Sequence, residues 1–176
     1  MLTRAVLTAV SCALILGATG STAVAAGSTE FTVYGSTAAQ SLLVDRNQNG
    51  QPDPGDVLLT GGPLSDGYEQ IGSWRAAVRF VDSSTLSVFG EFRFWEGALL
   101  VRGSFDPNAG PPPALSVYRG QGSFQGLKTG RLAVMDMGSG NNAFTFTLRC
   151  ATPEHNVRPE HVGHPGLFGG RDCQNR

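Results

Sequence analysis

Charged residues are scarce in this chain. Only 15% of its 176 residues are Asp, Glu, Lys or Arg, and the formal net charge is −1. Nucleic acids and anionic membranes both select proteins with clustered Lys and Arg. The composition therefore predicts neither a nucleic-acid partner nor binding to an anionic lipid surface.

Long hydrophobic runs are lacking except at the N-terminus. Arg4 precedes an apolar run over residues 5–17, and Ala23-Val24-Ala25 has the small residues of a signal-peptidase site. A membrane-spanning helix needs about 20 apolar residues, so the run is too short for an anchor. We therefore predict a signal peptide over 1–25, secretion after cleavage near Ala25, and no membrane span. The mature part, 12 basic against 14 acidic residues, is long enough for one domain.

Cysteine is nearly absent from the mature part. Cys150 and Cys173 remain after cleavage, and an even pair in an exported chain predicts a disulfide. Neither stands in a C-x-x-C motif, which disfavours a reactive thiol pair. The bond would tether an irregular tail over 151–176 to the last strand. The tail contains His161-x-x-His164, but zinc also needs rigid ligands with supporting partners, which this composition does not suggest.

Motifs of common enzyme classes are missing too. There is no G-x-S-x-G for a hydrolase nucleophile. The glycines at 120, 122 and 126 miss the dinucleotide-binding spacing by one residue, and no helical pattern follows them. We therefore expect no organic cofactor.

Glycine and alternating strand patterns are abundant instead. The chain has 24 glycines, and the segment from residue 30 onwards shows strand-like runs with no sustained helical period. Sequential strands joined by turns predict an all-β domain over 26–150, and closure into an up-and-down antiparallel barrel would remove the sheet edges. A two-layer β-sandwich is the alternative.

One polar segment between two strands has the spacing of a calcium-binding loop. Oxygen-bearing residues occupy positions 1, 3, 5, 7, 9 and 12 of a twelve-residue frame, with Gly50 at position 6. Pro52 and Pro54 forbid the usual following helix. The pattern suggests a structural Ca²⁺ site, and the alternative is a solvated turn. The proposed ligands are Asp45, Asn47, Asn49, Gln51, Asp53 and Asp56.

Candidate catalytic residues are few. On the strand over 86–95, one face carries Phe89, Glu91, Arg93 and Trp95, as a cavity wall would, and the other face is apolar. A buried Glu91 would have a raised pKa and could serve as a general acid or base. Glu69 and Tyr68 are the other weak candidates. The alternative is that these acids form exposed pairs with arginines across neighbouring strands.

The glycine-rich segment over 119–130 resembles a motif of the allene oxide cyclase and dirigent proteins. Arg119-Gly120-Gln121-Gly122-Ser123-Phe124-Gln125-Gly126 is similar to its first part, and Leu127-Lys128-Thr129-Gly130 to its end, with one extra residue. Residues 54–59 are similar to the Gly-Asp entry into a strand of that family. The resemblance covers about residues 29–148.

The resemblance implies an eight-stranded calycin-like antiparallel barrel, often a homotrimer, with a cavity for an apolar small molecule. It implies a protein that binds a hydrophobic or aromatic metabolite and guides its cyclisation or coupling, an isomerase- or cyclase-like activity. The alternative is a non-enzymatic ligand carrier or interaction module held by calcium and a disulfide. An open pocket would favour the first hypothesis, and an interior filled by Phe, Leu and Trp would favour the second.

Overall fold

A computed structural model describes residues 28–36, 40–109 and 113–151. The predicted signal peptide, Cys173 and the tail histidines lie outside these ranges. Cys150 ends the last strand, and its disulfide with Cys173 stays a prediction.

All regular structure in the described residues is β-strand, as the alternating patterns predict. The strands are β1 (Ser28–Ser36), β2 (Gln40–Val44), β3 (Val57–Ser65), β4 (Gln70–Phe80), β5 (Leu86–Phe94), β6 (Gly97–Phe105), β7 (Leu115–Gly122), β8 (Leu127–Gly138) and β9 (Asn141–Cys150). Within these ranges no helix is long and apolar enough to cross a membrane.

The strands close into a barrel of eight positions. From β3 to β9 each strand pairs antiparallel with the next, and β9 pairs with β1. β1 and β2 share the remaining position, since β1 pairs with the end of β3 at Gly35↔Leu64, and β2 pairs with its beginning at Val44↔Val57. The predicted eight-stranded antiparallel barrel is confirmed, and the sandwich alternative is wrong.

The interior of the barrel is filled by aromatic rings. Residues of β1 alternate between buried and exposed, so that Phe31 and Val33 point inward. Ring centroids are 5.1 Å apart for Phe31 and Phe146, 5.0 Å for Phe92 and Phe146, and 4.9 Å for Phe92 and Phe144. The inward rings are Phe31, Trp74, Phe92, Phe94, Phe124, Phe144 and Phe146. Packed rings therefore occupy the space that a wide ligand cavity would need.

Two glycines allow β1 and β3 to meet around these rings. A Cβ atom on Gly35 would lie 2.6 Å from the ring of Phe144 and 2.7 Å from Nε1 of Trp74. A Cβ atom on Gly62 would overlap the carbonyl oxygen of Ser36. Any other residue at either position would force the rings or the two backbones apart.

Replacing Phe146 by alanine should destabilise the barrel strongly. Phe146 is fully buried and contacts three other rings, so its loss leaves a cavity, and we expect the free energy of unfolding to fall by about 3–5 kcal/mol. Phe89→Ala is the matched control because that ring is 54% exposed, and its effect should stay within about 0.5 kcal/mol. Urea denaturation measures both. Equal effects would show that the ring cluster is not the core.

Candidate functional site

The loop between β2 and β3 is organised by its own side chains. The Asp45 carboxylate accepts hydrogen bonds from the backbone N–H groups of Gln48 at 2.7 Å and Gly50 at 2.6 Å. The Asn49 side-chain oxygen accepts from the N–H of Gln51 at 2.7 Å. Gly50 has φ of 74°, the left-handed conformation that glycine adopts without strain. The sharp bend predicted at Gly50 is therefore present.

Three of the predicted calcium ligands meet at one point of this loop. The Asp53 carboxylate accepts hydrogen bonds from the side-chain amides of Asn47, at 2.8 Å, and Asn49. Both hydrogen bonds lower the pKa of Asp53, and the bond from Asn47 has the larger effect. Asp53 is therefore an anion at neutral pH, and the two amides direct their NH2 groups toward it, while their oxygens accept from the backbone N–H groups of Asn49 and Gln51.

Asp56 has a structural task at the end of the loop. It is 1% exposed, and its two oxygens accept from the N–H groups of Arg46 at 2.8 Å and Asp53 at 2.9 Å. Its backbone carbonyl accepts from the N–H of Phe80, which ties the loop to β4. Burial of a charge is tolerated here because both of its oxygens are hydrogen-bonded.

Most of the oxygen-bearing groups of this loop that could bind a metal ion are uncharged. No three His, Cys, Asp or Glu side chains form a group able to hold a metal ion within residues 28–36, 40–109 and 113–151. A hard cation bound here would depend on the amide oxygens of Asn47 and Asn49 and the carbonyl of Gln51 together with Asp45 and Asp53. Such oxygen ligands fit calcium, with few charges and hence weak affinity.

Glu91 lies on the outer surface of the barrel. Its carboxylate accepts from Nε of Arg75 at 2.7 Å and from Nε of Arg93 at 2.8 Å. Partial burial by itself raises the pKa of Glu91, but the hydrogen bonds and charges of the two arginines outweigh it, and the pKa is lowered overall. Phe89 and Trp95, on the same face, are 54% and 66% exposed. The interpretation of this face as a cavity wall is therefore wrong, and the exposed-pair alternative describes Glu91.

Glu69 and Tyr68 lie in the turn between β3 and β4. The Asp66 carboxylate accepts from the backbone N–H groups of both, at 2.9 Å for Tyr68 and 3.1 Å for Glu69. Tyr68 is 99% exposed. The structure thus brings neither residue into the interior or next to Glu91, and their catalytic role stays a prediction.

A depression of about 490 Å³ lies at the seam where β1 meets β3 and β9. Its size is in the range of small-molecule sites. Among the described residues, its lining contains hydroxyl, phenol, amide and apolar groups and no carboxylate or basic side chain: Tyr34, Gly35, Ser36, Pro63, Leu64, Ser65, Gln70, Met137, Asn141 and Asn142. A neutral lining of this kind suits an uncharged ligand.

A buried hydrogen-bond donor lies directly behind this lining. Trp74 is 7% exposed, and its indole N–H has no hydrogen-bond partner within the described part of the chain. The indole stacks on Phe92 and meets the edge of Phe144. A Cβ atom added to Gly35 would lie 2.7 Å from Nε1 of Trp74, and only the ring of Phe144 would be nearer. Buried donors are nearly always paired, so this N–H is an exception. It lies beneath Gly35, which lines the depression, while Trp74 itself does not.

The sequence patterns did not reveal this seam. Its residues come from β1, β3, β4, β8 and β9, and β1 meets β3 only through the closing pair of strands. The signal that was available is the combination of Gly35, Gly61 and Gly62 with Trp74, which marks a place where two backbones and a large ring approach closely.

No protein-family model matches the chain, and no curated protein sequence matches it. Solved structures do. A pyocyanin demethylase superposes with a TM-score of 0.58 at 18% identity, covering 68% of this chain and 99% of its own. A pterocarpan synthase dirigent protein gives 0.53 at 13%, covering 69% and 85%. The Diels–Alderase AbmU from Streptomyces koyangensis gives 0.55 at 11%, covering 76% and 73%.

The chain has the barrel fold of the dirigent and cyclase proteins. The expected likeness is confirmed at the level of the fold. The sequence identities are too low to assign functional residues or reactions of those proteins to this chain. In this dirigent-type barrel the interior is filled by rings, and the neutral seam depression is a cavity of ligand size at the surface.

The ion pairs of Glu91 should make a small, pH-dependent contribution to stability. Since the pKa of Glu91 is lowered from its ordinary value of 4.5, the stabilisation is complete above that value and is lost as the pH falls below it. Because the arginine side chains are 72% and 63% exposed, Glu91→Gln should cost less than about 1 kcal/mol at pH 7, and its cost should be smaller near pH 2.5. Denaturant melts at both pH values measure this. An equal loss at both would refute the ionic origin, and Glu69→Gln is the control.

Proposed function

We propose that this protein is an exported dirigent-type barrel that binds a neutral aromatic or otherwise hydrophobic small molecule in the seam depression. The observation that carries the proposal is the uncharged depression of about 490 Å³ with the unpaired N–H of Trp74 behind its floor. The similar structures support it, because their names designate small-molecule chemistry: pyocyanin demethylation, pterocarpan synthesis and a Diels–Alder reaction.

The lining fixes the kind of ligand. Leu64, Pro63 and Met137 offer apolar surface, while Gln70 and Asn142 offer amides that can donate and accept. A charged ligand would lose its hydration without finding an opposite charge, which is costly. A polycyclic compound with one or two carbonyl or ring-nitrogen acceptors fits both features, because the lining amides can donate hydrogen bonds to those acceptors.

The site guides a reaction by confinement rather than by acid–base catalysis. Tyr34 is the one ionisable side chain among the described lining residues, and no carboxylate faces the depression. Cyclisation and radical coupling can be directed without proton transfer when a flexible ligand is held in one reactive geometry. A neutral depression backed by a rigid aromatic core can hold a ligand in one geometry in this way.

A second candidate function is transport of the ligand without chemistry. The filled interior favours it, because the rings of Phe31, Phe92 and Phe146 leave no room to enclose a substrate from all sides. The two functions differ in what leaves the protein. A carrier releases its ligand unchanged, whereas a cyclase or coupling guide releases a product of altered connectivity or stereochemistry. Mass spectrometry and chiral chromatography of the released compound distinguish them.

Fluorescence of the two tryptophans tests the binding site. Phenazine, a neutral tricyclic probe with ring-nitrogen acceptors, should quench Trp74 in the Trp95→Phe variant in a saturable way, because Trp74 lies behind the depression. Gln70→Leu keeps the size of a lining side chain but removes its amide donor. We expect it to weaken phenazine binding about 3- to 10-fold, the value of one hydrogen bond.

Trp95→Phe is the matched control for binding, since Trp95 is 66% exposed in the turn between β5 and β6. It should bind phenazine like the wild type. Calorimetry gives the affinities of both variants independently of fluorescence. Saturable quenching of Trp95 with no response of Trp74 would contradict the proposed site.

We also propose that the loop over 45–56 binds Ca²⁺ and stabilises the barrel. Support comes from the bent backbone at Gly50 and the convergence of Asn47, Asn49 and Asp53. A bound cation would link β2 to the start of β3, and so hold the part of the sheet edge that β1 does not cover.

Added calcium should therefore raise the melting temperature of the mature protein, and a chelator should reverse the rise. Asp53→Asn removes the most central charge and should abolish most of the shift. Asp82→Asn, in the turn between β4 and β5, removes one charge elsewhere and should keep it. A shift that is identical in both variants, or no shift in the wild type, would contradict the calcium site.

A further inference from the structure

The outer wall of the barrel carries arginines on four consecutive strands. Strands β4 to β7 contain one acidic residue, Glu91, and no lysine. All of their arginines are exposed and point away from the ring-filled interior. We call this surface the basic wall: Arg75, Arg79, Arg93, Arg102 and Arg119.

Acidic residues are found at the ends of the barrel instead. Those of the described turns between β2 and β7 are Asp45, Asp53, Asp56, Asp66, Glu69, Asp82, Glu96 and Asp106. Opposite charges are therefore separated in space. The net charge of −1 conceals this separation, because it sums over both regions.

The arginines are spread too widely to form a pocket for one small anion. Arg75, Glu91, Leu100 and Arg119 stand opposite one another across four strands. Three strand spacings place the backbones of Arg75 and Arg119 about 14 Å apart, and four residues along β4 place Arg79 about 13 Å from Arg75. Glu91 forms ion pairs with two of the five guanidinium groups, those of Arg75 and Arg93. The remaining charges form a field that matches a ligand with repeated negative charges.

The surface between the arginines is partly apolar. Phe89 lies opposite Arg102 and is 54% exposed, and Tyr118 is 44% exposed beneath the guanidinium of Arg102, 5.0 Å from its ring centroid. Rings packed against a guanidinium hold it in place and leave its outer N–H groups available.

We propose that the basic wall binds a flexible polymer that carries phosphate groups. The guanidinium fork binds phosphate through two parallel hydrogen bonds and is more weakly hydrated than the lysine ammonium, so a wall built from arginine alone favours this partner. The surface is distinct from the seam depression, and the inference does not depend on the small-molecule function.

Binding to long-chain polyphosphate tests the proposal. The double variant Arg79→Gln/Arg119→Gln removes two of the three wall charges that lie away from the Glu91 pairs, and it should weaken binding at least tenfold. The slope of log affinity against log salt concentration should fall by about 1.4, or about 0.7 per lost contact. Glu91→Gln removes the one acid of the wall and should tighten binding.

The double variant Arg46→Gln/Arg149→Gln is the matched control, because it removes the same charge from exposed positions outside the basic wall. It should bind polyphosphate within about twofold of the wild type, the change expected from net charge alone. Circular dichroism confirms that each variant is folded. Equal losses in the two double variants would overturn the proposal. So would binding to vesicles of phosphatidylserine and phosphatidylcholine in the absence of any binding to polyphosphate.

Discussion

The whole structure depends on the closure of β1 against β3 around a cluster of aromatic rings. The pairing between them covers only Tyr34↔Ser65 and Gly35↔Leu64. It nevertheless closes the nine-stranded sheet into a barrel. So short a pairing holds because Gly35 and Gly62 let the strands meet, and because Trp74 and Phe144 fill the space directly behind them. The hydrophobic burial of the rings thus stabilises a junction that its few backbone hydrogen bonds could not hold alone.

The same closure produces the candidate site. Where β1 leaves β3, residues from five strands surround a depression, and the indole of Trp74 lies just behind it with its N–H unpaired. This part of the interior is thus filled by a ring that carries a polar atom, close to the surface but beneath Gly35.

Local patterns were sufficient to predict the fold, and long-range pairing was needed to find the site. Alternation along β5 correctly separated the inward Val88, Phe92 and Phe94 from the outward Glu91, because a strand has a period of two. Alternation alone does not decide whether the polar face encloses a ligand or carries exposed ion pairs, and the observed contacts of Glu91 with Arg75 and Arg93 decide for the ion pairs. The bend at Gly50 followed from local turn chemistry. The seam could not be predicted, because Gly35, Leu64 and Asn142 are neighbours only through strand register.

Closure of the barrel also determines where charged side chains can lie. Because the interior is filled by rings, every charged strand residue must point outward, and strands with arginine at alternate positions build a positive wall. Turns, by contrast, use Asp and Asn to hydrogen-bond their own backbone, as Asp45, Asp66 and Asp82 do here. The separation of basic wall from acidic ends is therefore a consequence of using arginine in strands and aspartate in turns. A barrel built in this way presents two chemically different surfaces, a neutral seam and a basic wall, which lie on separate parts of the barrel.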